Sequence, residues 1–276
     1  MNYYSSLIDT HSHCNMMVKK DFDRLLTLSE VAAVQAIIDE SLQKHVVHLI
    51  NVGTSLPESL NCITLAQTYS QISASIGIHP NDCTTQWKSD VQQLAQLCKE
   101  KEKNKIVAIG ECGMDFHYPD YDVQRQQDAF KTQIELALSH NLPLVIHTRQ
   151  APDETLRCLE QFKDAQLRGV IHCFSEDLSF AHEALQLGFV LGIGGTITYP
   201  KNTVLRSVVE TVGLDNIILE TDAPFLPPQA LRGKQNSPAH ISIIAEFIAQ
   251  LLNVTPELVA QKTTENAVNI FNLEIQ

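Results

Sequence analysis

Two histidines one residue apart, His11 and His13, close the first apolar run of the chain, Leu7-Ile8-Asp9-Thr10-His11-Ser12-His13-Cys14. On a β-strand, side chains two apart share a face and stand about 6.6 Å apart along it, so both imidazoles can aim at one point. That is half of a metal site. Taken alone, such a pair reads equally well as surface or hydrogen-bonded core residues. The balance is tipped by four later apolar runs, each associated with residues of ligand type. The fourth run leads into Gly110-Glu111-Cys112-Gly113-Met114-Asp115 and the fifth into His147-Thr148-Arg149. The sixth carries His172 before Cys173-Phe174-Ser175, and the eighth ends in Glu220-Thr221-Asp222-Ala223-Pro224.

Four imidazoles and two carboxylates exceed what one four- or five-coordinate ion uses. Glu111 has two oxygens with which to bridge ions about 3.5 to 4 Å apart. The expected arrangement places one ion on His11, His13 and Asp222 and a second on His147 and His172, with Glu111 between them. Mixed nitrogen and oxygen donors suit Zn²⁺, Mn²⁺ or a similar ion better than Mg²⁺, which favours an all-oxygen shell; the choice among the three stays open. Asp222, a carboxylate at the edge of the pair, is the candidate for holding and deprotonating an attacking water. Glu111 is the second candidate catalytic group.

Bringing six donors from five runs to one place requires a repetitive scaffold. Eight short Val-, Ile- and Leu-rich runs supply it: Ser6 to His11, Val46 to Val52, Ile72 to Ile78, Ile106 to Gly110, Leu144 to His147, Val170 to Cys173, Phe189 to Ile193 and Ile217 to Thr221. They are nearly continuous and not alternating, as expected of strands covered on both faces. Amphipathic stretches lie between them. In residues 122–141 Val123, Phe130, Ile134, Ala137 and Leu138 fall largely on one face, and Leu142-Pro143 stops the helix. Residues 238–253 repeat the pattern, and Thr255-Pro256 reads as an N-cap and first-turn proline opening a last helix to about Phe271. The charged run Lys99 to Lys105 reads as a solvated helix end. The predicted fold is a single (β/α)8 TIM barrel covering residues 1–276, a class whose chemistry sits at the C-terminal ends of its strands.

Composition narrows the function. Twenty basic against thirty-two acidic residues give a formal charge of −12, which disfavours broad electrostatic binding of nucleic acid. A polyanionic substrate would have to be held by bound cations and a few local Lys or Arg. Seven cysteines, odd in number and without C-x-x-C spacing, argue against a disulfide framework or a cysteine-based zinc module. Reduced thiols, no signal peptide, no membrane span and a cytoplasmic location are expected. A monomer with no obligate protein partner is expected as well.

Seven stretches in order along nearly the whole chain resemble the TatD family of metal-dependent deoxyribonucleases. They are Ile8-Asp9-Thr10-His11-Ser12-His13, Gly77-Ile78-His79-Pro80, Gly110-Glu111-Cys112-Gly113-Met114-Asp115, Leu144-Val145-Ile146-His147, Ile171-His172-Cys173-Phe174-Ser175, Glu220-Thr221-Asp222-Ala223-Pro224-Phe225 and Arg232-Gly233-Lys234. The resemblance implies an amidohydrolase-type barrel, one or two divalent ions, and hydrolysis of DNA phosphodiesters, often as a 3′-to-5′ exonuclease. By motif position it implies His11, His13, Glu111, His147, His172 and Asp222 as metal ligands.

Other residues carry weaker expectations. His79 is read as a rim contact to phosphate or a turn residue, and Arg149 as a phosphate clamp or an ordinary loop arginine. Arg232, Lys234 and Asn236 could bring local positive charge and polar contacts to DNA. Asp115 is read as support for a ligand or a loop cap. His45, His48, His117, His140, His182 and His240 earn no site role from spacing. Cys112 and Cys173, next to ligands, are expected to pack behind the site, and Cys14 just beyond the first strand, where its oxidation is a hypothesis. Gln150, Glu176 and Ser237 depart from the family pattern and touch on substrate contacts. Two alternatives stand beside the deoxyribonuclease: a barrel hydrolase of an ester, lactone or aminoacyl bond, since one scaffold serves many chemistries, and a non-catalytic, metal-stabilised interaction protein.

Overall fold

A computed structural model describes residues 6–274. Eight parallel strands pair in sequence order: β1 Leu7–Ser12, β2 Val46–Val52, β3 Ile72–Ile76, β4 Ile106–Asp115, β5 Leu144–Arg149, β6 Gly169–Ile171, β7 Phe189–Ile193 and β8 Ile217–Leu219. A bridge between Ser12 and Ala223 brings the last strand back to the first. The result is the expected (β/α)8 barrel. Helices Leu28–Gln43, Leu56–Thr68, Trp87–Cys98, Val123–His140, Pro152–Glu160, Leu178–Gln186, Thr203–Val212 and Ile241–Leu252 follow the successive strands, and Pro256–Phe271 is added at the end. Among the described residues, no single helix is long and apolar enough to cross a membrane.

The two-residue period of the strands builds both the core and the site. Val145, Val170 and Ile218 cluster with Ile8, Ile50, Val52 and Ala108 in one fully buried group, which Phe271 and Leu273 join. Their alternates, such as Leu144, Ile146, Ile171, Ile217 and Leu219, pack in the larger cluster with the surrounding helices. Two residues beyond Val145, Val170 and Ile218 on the same face come His147, His172 and Glu220.

Local signals set the helix ends. Thr27 opens its helix with a reciprocal capping box to Glu30. Asp122 accepts from the Arg125 amide, and Asn141 ends the same helix in the left-handed conformation. Thr255 caps the last helix ahead of Pro256. The stretch 238–253 differs from expectation in starting as a separate 3₁₀ turn, Pro238–His240, capped by Ser237.

β4 runs five residues further than the sequence suggested, carrying Glu111 through Asp115 into the sheet. Two glycines make this possible. Gly110 and Gly113 have φ of 144° and 146°, and a Cβ on Gly113 would lie 1.9 Å from the His147 carbonyl oxygen, so only glycine lets β4 approach β5 there. β6, in contrast, stops at Ile171, and Cys173 follows with a φ of 47°.

Candidate metal centre

The six expected donors converge at the C-terminal mouth of the barrel. Nε2 of His11 lies 3.2 Å from Nε2 of His13 and 3.8 Å from Oδ1 of Asp222, which is 3.4 Å from Nε2 of His13. Donors held about 2.0–2.1 Å from a tetrahedral ion stand about 3.3 Å apart, so these three fit a cation between them. His13 Nδ1 lies 2.8 Å from the Val52 carbonyl oxygen. A carbonyl only accepts, so Nδ1 carries the proton and Nε2 turns a lone pair to the centre.

Glu111 faces a donor group with each of its oxygens. Oε2 lies 3.4 Å from His11 Nε2 and 3.9 Å from His13 Nε2. Oε1 lies 2.9 Å from His147 Nδ1, 3.5 Å from His79 Nε2 and 3.8 Å from His172 Nε2. Burial pushes the Glu111 carboxyl upward, but the imidazoles of His79 and His172 and hydrogen bonds from His11 and His147 outweigh it and hold it well below its usual range. Burial raises Asp222 too, and His13, His172 and His11 reverse this. Both carboxylates therefore stay ionised, with imidazoles crowded around them.

The grouping differs in detail from the expected one. His172 stacks on His11, with ring centroids 3.5 Å apart, while its centroid is 6.5 Å from that of His147. The donors that gather tightly are His11 with His13 and Asp222, His11 with Glu111 and His172, and His79 with Glu111 and His147. His79, expected at the rim, is thus part of the donor cluster. Burial and then His147 push its imidazole down to about 3, which leaves it neutral; its Nδ1 lone pair accepts from the Asn81 amide and caps the turn at Pro80, so Nε2 carries the proton toward Glu111. Asp115 supports His147, with Oδ2 3.1 Å from Nε2, and accepts from Asn81.

Two buried carboxylates were missed as site residues. Glu220 Oε1 lies 2.9 Å from His172 Nδ1 and accepts from the Cys173 amide. Burial lowers the His172 imidazole, but Glu220 and then Glu111 outweigh this and raise it to about 10. Its signal was in the sequence, because Glu220 shares the inward parity of Ile218. Asp9 takes hydrogen bonds from the Thr221 hydroxyl at 2.5 Å, the Thr221 amide at 2.9 Å and the His11 amide at 3.3 Å. It staples β1 to the end of β8, and burial pushes its carboxyl up to about 8 despite these bonds.

The cleft above the donors has a volume of about 770 Å³, and His13, His79, Glu111, His147, His172, Asp222 and Arg149 line it. Arg232 and Lys234 do not line it. Both are exposed, and the Arg232 guanidinium lies over the Tyr199 ring at 4.5 Å. Asn236 is buried and donates to the carbonyls of Thr221 and Phe225, so its amide folds the loop and is not free for substrate. Cys173 corrects the expectation of a thiol behind the site. It lines the cleft, because strand alternation ends before it. Cys14 is fully buried, and its thiol is pushed up to about 12, chiefly by burial, which removes the basis for its oxidation. Cys112 is buried as expected, and all seven cysteines are free.

The family described as TatD related DNase matches residues 8–272. The chain belongs to the TatD family. A relative from Bacillus subtilis, the uncharacterized metal-dependent hydrolase YabD, is 32% identical over 267 residues, covering 97% of this chain and 99% of its own length. The 3′-5′ ssDNA/RNA exonuclease TatD of Citrobacter koseri is 30% identical over 243 residues, 86% of this chain and 92% of its own. The crystal structure of the TatD homologue YjjV from Escherichia coli superposes with a TM-score of 0.88 at 29% identity, covering 98% of this chain and all of that one. This TatD-family chain is accordingly a metal-dependent hydrolase by kinship, with its donor cluster where such a hydrolase needs one.

Proposed function

We propose that the chain is a two-metal phosphodiesterase that removes nucleotides from the 3′ ends of single-stranded DNA. The observation that carries this reading is the Glu111 carboxylate, which turns one oxygen to the His11 and His13 imidazoles and the other to His79, His147 and His172. His11, His13 and Asp222 would hold one ion; His147 would face the second across Glu111, with His172 packed against His11 between the two groups. Divalent ions in such a cluster supply charge for the non-bridging phosphate oxygens and lower the pKa of a water. The Citrobacter relative's name as a 3′-5′ ssDNA/RNA exonuclease supports the choice of bond and polarity.

Asp222 serves as the base. Its carboxyl is ionised and edges the cleft, so it can orient a water and take its proton as the water oxygen bonds to phosphorus. The P–O bond to the neighbouring sugar breaks and that oxygen takes a proton from solvent. Glu220 fixes the ring of His172, Asp115 that of His147, and the Val52 carbonyl that of His13, so the imidazoles do not reorient when substrate arrives. Arg149, exposed at the cleft wall, reaches a phosphate oxygen.

The test is cleavage of a 3′-labelled single strand by chelated protein and by protein supplied with Mg²⁺, Mn²⁺ or Zn²⁺, beside Glu111→Ala and Asp222→Asn. Cleavage that returns with one of the ions and is lost in both variants is the expected result. Two bound ions per chain without cleavage would move the reading to an ester, lactone or aminoacyl substrate.

A further inference from the structure

The mouth of the cleft carries a set of features that metal binding does not use. Phe22, Tyr118 and Phe225 line it while remaining 55%, 53% and 45% exposed. Large aromatic rings left in water around a concave site mark a contact surface. They come from three separate loops, after β1, β4 and β8. β8 neighbours β1 in the barrel, and β4 lies on the far side, so the rings stand on opposite walls. The Phe225 ring meets the imidazole of His13 edge-on, with centroids 6.0 Å apart, one ring's breadth from the donor cluster.

These walls are held in place. The segment bearing Phe22 is pinned at Lys19, whose ammonium bonds both oxygens of buried Glu58 and the Arg24 carbonyl. Asp23 is tied on both sides, its amide to Glu58 and its carboxylate to the Ser55 hydroxyl. On the far wall Phe116 and Tyr121, flanking Tyr118, stack at 4.6 Å.

The charge of the cleft says what the rings are for. Arg149 is the one Lys or Arg among the described residues lining it, against Asp23, Glu58, Asp82, Glu111, Asp115 and Asp222. Phosphate contacts cannot supply much affinity beyond the ions themselves, whereas stacking on aromatic faces contributes about 1–3 kcal/mol per base and ignores base identity. Arg149 sits 5.8 Å over the Tyr118 ring, which puts its charge beside an aromatic face.

We propose that Phe22, Phe225 and Tyr118 form a stacking clamp for the unpaired terminal bases of a single-stranded polynucleotide, so that the enzyme selects frayed ends by their exposed base faces and not by phosphate charge. The proposal rests on the phosphodiesterase reading for its choice of ligand. A base inside a duplex presents no free face to such rings, so paired ends enter only when they open.

The test is binding of a short single strand with 2-aminopurine as its 3′-terminal base to the metal-loaded protein, followed by fluorescence. A companion strand with an abasic terminal residue controls for phosphate contacts. Binding is expected to quench the 2-aminopurine, and Phe22→Ala and Phe225→Ala are each expected to weaken it about tenfold. Phe22→Tyr should restore it, and the abasic strand should bind wild type and variants alike. Equal affinities of wild type and the alanine variants for the 2-aminopurine strand, equal binding of the abasic strand by wild type, or no binding of either strand would each overturn the clamp. Cleavage is followed separately: quenching without cleavage would sink the phosphodiesterase reading and leave the clamp, and cleavage at equal rates on both strands by all variants would do the reverse.

Discussion

Replacing Lys19 by methionine isolates the energy of the buried pair beneath the Phe22 segment. Lys19 and Glu58 side chains are 0% and 1% exposed, and their charged atoms are 2.5 Å apart at the nearest. Methionine keeps most of the lysine stem but leaves the carboxylate with three neutral donors, the amides of Asn15 and Asn61 and the Asp23 backbone. Removing one partner of a buried pair costs about 3–5 kcal/mol, because the other charge stays behind without compensation. The three surviving hydrogen bonds put Lys19→Met near the lower end, about 3 kcal/mol. Adding Glu58→Gln removes the stranded charge but sets an amide NH2 against either the Asp23 amide or the Asn15 and Asn61 side chains, so the double variant should be less unstable than the sum of the single ones without regaining the wild-type value. Urea unfolding followed by the fluorescence of Trp87, the single tryptophan and only 7% exposed, measures all four members of the cycle. A loss below about 1 kcal/mol for Lys19→Met, or a double variant as unstable as the sum of the single ones, would refute the reasoning. The same single variant should gain a protease-sensitive site between Lys19 and Thr27, because the clamp wall loses its pin.

Further outcomes follow from other elements. His48, buried and 2.9 Å from the Ser73 hydroxyl, is lowered from 6.5 to about 4 by burial and a smaller push from Lys105. With the folded value depressed, the unfolded chain takes the proton first, so stability falls below pH 6.5 and the loss is complete below about pH 4. Linkage gives about 2 kcal/mol at pH 5, and His48→Gln should show that much less dependence in urea stability between pH 7.5 and 5; parallel curves for the two proteins would contradict this. Adding Zn²⁺ or Mn²⁺ to chelated protein should raise its melting temperature, with about 2.7 kcal/mol of stabilisation at a hundred times the dissociation constant, and an undiminished rise in Glu111→Ala would remove the cluster as the binding site. Gly113→Ala should lose more than about 2 kcal/mol in the same denaturation assay, because its Cβ would meet the His147 carbonyl at 1.9 Å; a variant as stable as wild type would show that β4 and β5 can separate there.

The sequence displayed the barrel because its strands are buried on both faces, which makes continuous apolar runs such as Val46–Val52 easy to see. The donors were legible for the same reason, as polar residues interrupting those runs at one end. What escaped was set by geometry that local pattern does not encode. The extension of β4 depends on two glycines approaching β5, and the inward turn of Cys173 on a single left-handed residue. Asp9 looked like part of a strand, since its partner Thr221 lies 212 positions away. Asn236 looked like a loop amide available to substrate, and only the folded loop shows its amide donating to Thr221 and Phe225. His79 was placed at the rim because the loop after β3 gave no hint that it turns back toward Glu111.

The staple between Asp9 and Thr221 also bears on when the centre comes into being. His11 and His13 leave the ribosome long before Asp222 and before the Thr221 that anchors Asp9, which lies 212 positions downstream of it. Contacts of such sequence separation form late, since closing so long a loop must precede any gain from the contact. A nascent or prematurely ended chain therefore holds imidazoles without the carboxylate that completes their cluster. The donor cluster is completed only when Thr221 and Asp222 have been made, and any chain that stops before them lacks the assembled centre.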